Sequence, residues 1–210
     1  CIGSCTNSSY MDLMKVAKIF KGKTVDPSVS LVISPGSKQV NTMLAQNGAL
    51  ADLIDAGARI LESACGPCIG MGQAPATDAV SVRTFNRNFY GRSGTMSADV
   101  YLVSPEVAAA TALKGVLTDP RELGEPIKVY MPERFQVNDN SIIPPSDNPS
   151  EAKVIRGPNI KEFPINSQLA ERIEGEALMV MEDDITTDHI MPSNAKLLPF
   201  RSNIPYLSDF

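Results

Sequence analysis

The sequence contains no apolar run near the roughly 20 residues that a membrane-spanning helix needs, so the pattern excludes a helical membrane span. It also lacks a basic cluster. Its 19 lysines and arginines are scattered among 24 acidic residues, for a net charge of −5, so no nucleic-acid partner is expected. Four cysteines in 210 residues are too sparse for a disulfide-stapled scaffold. No internal repeat and no heptad pattern is present. One histidine, His189, is the only imidazole available near neutral pH, and a lone histidine more often holds a turn together than moves protons. The first residue is Cys1 rather than Met, with no charged leader or cleavage signal, which reads as a piece cut from a longer polypeptide. What remains is an ordinary globular mixture, 43 % hydrophobic and 20 % charged, with ample length for a core.

Alternating elements set the fold class. Ser8 or Ser9 caps a helix whose apolar side is Leu13, Val16, Ala17 and Phe20. "SLVISPGS" reads as a buried strand stopped by Pro35 and Gly36. Ser37 then opens a second helix that carries Val40, Met43, Leu44, Leu50, Leu53 and Ile54 inward as far as Gly57. "ARILESACG", "AVSVRTFN" and "ADVYLVS" read as further strands. "SPEVAAATALKG" is a helix capped by Ser104, with Pro105 in its first turn and Gly115 as its stop. This order predicts an α/β fold, a mostly parallel sheet layered by helices, over residues 1–131. Residues 132–168, rich in Pro, Asn and Ser, read as an exposed linker. Residues 169–210 begin something new, with a strand-like run in "EGEALMVM", and read as the opening of a second, incomplete β/α domain.

The cysteines come in two pairs, "CIGSC" and "CGPC". Such spacing fits a four-thiolate zinc cage, a disulfide-exchange centre, an iron–sulfur cluster, or inert buried thiols. Cys1 falls in the apolar phase of an incoming strand, where an unliganded thiol is ordinary. Cys5 sits in "GSCTNSS" at a helix start, where exposed amides favour a thiolate. Cys65 and Cys68 follow a strand, as does "NRNFYGR", which places Asn86, Arg87 and Arg92 in one loop. In parallel sheets ligands gather at the carboxyl ends of strands, so these segments share one predicted edge. A zinc knuckle has no use for the arginine loop, whereas a carboxylate substrate does, through forked guanidinium contacts.

In that order, "GSCTNSS", "ACGPCIG" and "NRNFYGR" resemble the aconitase family of iron–sulfur hydro-lyases, and "TTDHI" followed by "FR" resembles that family's entry into its swivel domain. The resemblance covers a cluster-bearing domain, a connector and the start of the swivel domain. It implies a [4Fe–4S] cluster held by Cys5, Cys65 and Cys68, with Cys1 outside the ligand set. It further implies that Asn86 hydrogen-bonds near the cluster and that Arg87, Arg92 and Arg201 grip substrate carboxylates. Asp188 and His189, in "TTDHI", are the catalytic candidates, Asp188 as an orienting group. The remaining active-site groups, the general base among them, are expected from other domains of the parent polypeptide.

The activity that the resemblance implies is isomerisation of citrate and isocitrate through cis-aconitate, by Lewis-acid dehydration and rehydration. Isopropylmalate or homoaconitate isomerisation within the same family is the alternative. From other classes come a structural zinc module and an RNA-binding regulator, the latter opposed by the acidic balance. A loop arginine is usually a solvated charge or a surface ion pair, so the roles of Arg87 and Arg92 lean on the resemblance. "SPGS", Ser34 to Ser37, reads as a strand-to-helix turn near the cluster edge. Thiolate ligands call for a reducing compartment, the cytoplasm or the mitochondrial matrix.

Overall fold

The apolar stretch around Ile33 forms the middle strand of the molecule's main sheet. In the computed structural model, which describes residues 1–191, 194 and 196–210, β2 (Val32–Ser34) is flanked by β1 (Ile2–Gly3) and β3 (Arg59–Ile60). Both pairings are parallel, with Ile2 opposite Ile33, Gly3 opposite Ser34 and Ile33 opposite Ile60. A second parallel pair, β4 (Val80–Arg83) and β5 (Asp99–Leu102), runs in register from Val80–Asp99 to Arg83–Leu102. The two sheets are stitched at β1: the Cys1 amine donates to the Val82 carbonyl (2.8 Å), Thr84 N–H donates to the Cys1 carbonyl (3.1 Å), and Gly3 N–H donates to Thr84 Oγ1 (2.8 Å). The architecture is α/β with parallel strands, as the alternation predicts.

Helix α1 (Tyr10–Phe20) starts where its chemistry dictates. Ser9 accepts from Asp12 N–H while the Asp12 carboxylate accepts from Ser9 N–H, so two of the helix's orphan donors are satisfied reciprocally. Leu13, Val16, Ala17 and Phe20 lie on its buried face, each large side chain contributing about 1.5–3 kcal/mol by leaving water. They pack with Ile2, Ile33, Leu44, Leu53 and the small face Ala108, Ala109 and Ala112 of α4 (Pro105–Lys114). Ser104 caps α4, and Gly115 ends it at a φ of +74°. Lys15 and Glu106 join α1 to α4 at 2.9 Å.

The long helix expected between Ser37 and Gly57 is two helices, α2 (Lys38–Gln46) and α3 (Ala49–Asp55). Gly48 adopts a φ of +85°, and the Asn47 side chain accepts from Ala49 N–H, so the chain stops and restarts there. The expected strand "ARILESACG" is regular only at Arg59–Ile60. Beyond Leu61, whose N–H donates to the Ile33 carbonyl, the Ser34 hydroxyl takes the Glu62 carbonyl instead.

Clustering divides the chain into units 1–142 and 143–210. The second unit has only short helical elements among its described residues: a 3₁₀ turn at Pro149–Glu151, α5 (Thr187–Ile190), a turn at Leu198–Phe200, and α6 (Ile204–Leu207). The strand expected in "EALMVM" is absent, and Leu178 is 98 % exposed. A lone extended segment has no ladder partner for its amides and carbonyls.

Gly3 is the tightest point of the sheet. Its φ is +109°, and a methyl group there would sit 2.0 Å from the Ser34 carbonyl oxygen; Gly22, at +69°, faces open space. Gly3→Ala is expected to cost about 3 kcal/mol or more, through strain plus overpacking. Gly22→Ala should cost about 1 kcal/mol, from strain alone. Urea midpoints for the two variants that coincide would contradict this.

Candidate functional site

Cys5, Cys65 and Cys68 leave the carboxyl ends of β1 and β3, the two strands that flank β2. The first turn is unusual backbone: Ser4 and Asn7 both adopt left-handed conformations (φ +67° and +57°), one on each side of Cys5. Each is tied down. Ser4 N–H donates to the Ser34 carbonyl at 2.7 Å, and its hydroxyl donates to the Ala64 carbonyl at 3.4 Å. Asn7 Nδ2 donates to the Thr84 carbonyl at 2.7 Å. The Ser8 hydroxyl, offered by the sequence as a helix cap, instead donates to the Ser4 carbonyl, and Ser9 does the capping. The helix start therefore lies beyond this turn, and Cys5 is presented exposed at its tip.

The second loop is a 3₁₀ turn, Pro67–Ile69, ending at Gly70 with a φ of +79°. A side chain at Gly70 would strike the Ser93 carbonyl at 2.4 Å, so this loop and the arginine loop meet backbone to backbone. Cys68 is 3 % exposed, whereas Cys65 is exposed. All four cysteines are free thiols. Burial pushes the Cys65 thiol up, reinforced by the charges of Cys5 and Cys68, while Arg92 pulls it down. The three thiols predicted to act together are thus electrostatic neighbours.

The arginine loop supplies the cations. Arg92 is 8 % exposed; its Nη2 lies 3.7 Å from Cys68 Sγ, and its guanidinium stacks 5.4 Å from the centre of the Phe89 ring. Arg87 is half-buried and donates through Nη1 to Asn86 Oδ1 at 3.2 Å, with Asn86 exposed. The motif reading passed over Arg83. It is 1 % exposed, donating through Nε to Ser81 Oγ (2.8 Å) and through Nη1 to the Pro67 carbonyl (2.5 Å). The sequence carried no signal for it: in "VSVR" alternation would bury the valines, whereas in β4 Ser81 and Arg83 are buried and Val80 is 65 % exposed.

Asp188, His189 and Arg201 belong to the unit 143–210. Thr186 caps α5, and His189 Nδ1 accepts from Thr186 N–H at 3.0 Å, so this imidazole face closes a capping box. Asp188 is half-buried, and its N–H donates to Thr186 Oγ1 at 3.2 Å. Arg201 follows the Leu198–Phe200 turn, half-buried, in a unit where Phe200 and Tyr206 stack at 4.8 Å.

The donor set bears on which metal group would fit. Among the described residues, no three His, Cys, Asp or Glu side chains close tightly enough to grip a metal ion. A single zinc ion, with Zn–S bonds of about 2.3 Å, needs its sulfurs within about 4 Å of one another. A cubane asks for a looser trio, since each thiolate binds a different iron. Cys5, Cys65 and Cys68 are free thiols on two loops, with Cys5 and Cys68 acting electrostatically on Cys65 and the Arg92 guanidinium 3.7 Å from Cys68 Sγ, a donor set of the thiolate kind that such a cluster takes.

A family model for the aconitase family (aconitate hydratase) matches residues 1–115, more than half the chain. The chain belongs to the aconitase family. Among similar proteins, the mitochondrial homoaconitase of Candida albicans is 39 % identical over 191 residues, covering 90 % of this chain and 27 % of the relative. The homoaconitase large subunit of Thermus thermophilus is 48 % identical over 126 residues, 59 % of the chain and 30 % of the relative. The 3-isopropylmalate dehydratase large subunit of Wolinella succinogenes is 48 % identical over 124 residues, 58 % and 29 %. The chain thus spans under a third of the length of these relatives. All three cysteines and the arginine loop fall inside the aconitase-family match. Among the described residues no helix is long and apolar enough to cross a membrane.

Exposure sets an order of reactivity. In metal-free protein, iodoacetamide is expected to modify Cys5 and Cys65 well before Cys68. Labelling of Cys65 should climb as pH rises, because its raised pKa leaves little thiolate at neutrality. Peptide mass mapping that finds Cys68 labelled first would contradict the geometry.

Proposed function

We propose that this chain is the cluster-binding part of an aconitase-family hydro-lyase that moves a hydroxyl group between adjacent carbons of a tricarboxylic acid. In this reading Cys5, Cys65 and Cys68 hold a [4Fe–4S] cluster. When bound, the cluster supplies the Lewis acidity that eases hydroxyl departure. Arg92, buried against Cys68, and Arg87, with Asn86 bracing its guanidinium, bind substrate carboxylates and fix their orientation. Arg201 grips a further carboxylate, and Asp188 orients a neighbouring group. His189 acts through Nε2, since Nδ1 is committed to the Thr186 amide. Residues 132–168 serve as the linker and 169–210 as the start of the swivel domain, with the other domains of the parent polypeptide completing the site.

Homoaconitate, the aconitate homologue with one more methylene, is the favoured substrate rather than citrate, to which motif reading alone inclines. The observation that carries this is extent. Similarity to the mitochondrial homoaconitase runs over 90 % of the chain, while similarity to the isopropylmalate dehydratase large subunit runs over 58 %. Several arginines also suit an acid with three carboxylates better than one bearing an isopropyl group. The mitochondrial relative favours the mitochondrial matrix as the location.

Anaerobically prepared full-length protein is expected to contain iron and sulfide in equal amounts, and to turn over homoaconitate with a higher kcat/KM than cis-aconitate or an isopropylmalate. Cys68→Ser should lose sulfide. Arg92→Met should cut kcat/KM by about 100- to 1,000-fold, the usual cost of one preorganised polar contact to reacting charge. Preference for isopropylmalate would overturn the substrate, and protein holding zinc without sulfide would overturn the reaction.

A further inference from the structure

Arg83 presents an imbalance. It is a fully buried cation, and among the described residues no carboxylate pairs with it. Its partners are neutral: the Ser81 hydroxyl, the Pro67 carbonyl, and the Phe85 ring at 5.5 Å. A buried charge without a counter-charge costs several kcal/mol, and folds normally avoid one. The nearest compensation lies in the loop it holds. Pro67, whose carbonyl it grips, directly precedes Cys68, and the Cys68 charge acts on Arg83. Three thiolates bring more negative charge than a resting cubane core neutralises, so a cluster here is anionic.

We propose that Arg83 is a positioning residue of the cluster site: its guanidinium clamps the Pro67 carbonyl, fixing the second cysteine loop, and its fixed positive charge offsets the anionic thiolate set around Cys68. This rests on the cluster reading above. Arg92 reaches Cys68 from the arginine loop, whereas Arg83 lies within β4 and holds the Pro67 carbonyl. Burial lowers the Arg83 pKa to about 10, partly restored by Cys68, so the guanidinium keeps its charge at neutral pH. Positive charge and hydrogen bonding close to a cluster raise its reduction potential, and a rigid ligand loop slows its loss.

The test compares Arg83→Lys with Arg83→Gln in the full-length protein, prepared anaerobically. Both side chains can donate to the Pro67 carbonyl, but only lysine is charged. Midpoint potentials come from redox titration followed by electron paramagnetic resonance, and retention from sulfide content during exposure to air. Arg83→Gln is expected to shift the potential to more negative values and to lose sulfide several-fold faster, whereas Arg83→Lys stays near the wild type. A cluster that assembles with lysine but not with glutamine supports the same conclusion. Equal potentials in both variants and the wild type would overturn it. So would failure of both variants to hold a cluster while circular dichroism shows them folded. Wild-type protein without sulfide would instead sink the cluster reading itself.

Discussion

Gly3 and Ser34 face each other across a parallel ladder at a separation that leaves no room for a side chain, and the rest of the site is hung from that contact. The Ser34 carbonyl takes the Ser4 amide, which turns the chain into its left-handed conformation and lifts Cys5 out of the sheet. The Ser34 hydroxyl takes the Glu62 carbonyl, ending β3 and releasing the loop that carries Cys65 and Cys68. One residue on the central strand thereby governs where both cysteine segments begin. Thr84 does the same for the third segment, receiving the Gly3 amide on its hydroxyl and the Asn7 amide on its carbonyl, just before the arginine loop opens.

That arrangement explains how motifs far apart in sequence become neighbours. Parallel strands all present their carboxyl ends at one edge, so each strand-to-helix connection delivers its small polar residues to the same place. Glycines then let the loops touch. Gly70 and Gly94 meet with backbone against backbone, an approach that a side chain at either position would block.

Legibility in the sequence followed the range of the forces. Caps are local, and Ser9, Ser37 and Ser104 each accept the backbone amide that their spacing foretells. The apolar face of α1 and the start and stop of α4 were equally plain. The break at Gly48 was hidden because apolar periodicity continues through it; a glycine within a helical pattern is often tolerated, and only the left-handed φ and the Asn47 cap make it a stop. "EALMVM" has strand composition, yet pairing is non-local, and composition cannot supply a ladder partner. The cysteines were visible as motifs, but Arg83 was not, since its importance lies in burial, a property of the sheet. Only the fold inverts the expected alternation there, burying Ser81 and Arg83 and leaving Val80 exposed.

The chemistry of the first unit is one-sided, and this shapes how a reaction there would have to run. Around the three thiols the identified contacts are hydroxyls, amides, carbonyls and guanidiniums. Such groups bind anions, orient them and hold their charge, but none takes a proton at neutral pH. A hydro-lyase must remove a proton from carbon as well as release a hydroxyl, so in the proposed reaction these contacts suit the oxygen side of the exchange. His189 belongs to the unit 143–210, with Nδ1 held in a helix cap. Where two folded units of one protein contribute to one reaction, a continuous chain keeps each at high effective concentration for the other. Similarity to the mitochondrial homoaconitase of Candida albicans, over 191 residues, extends beyond the first unit into the second.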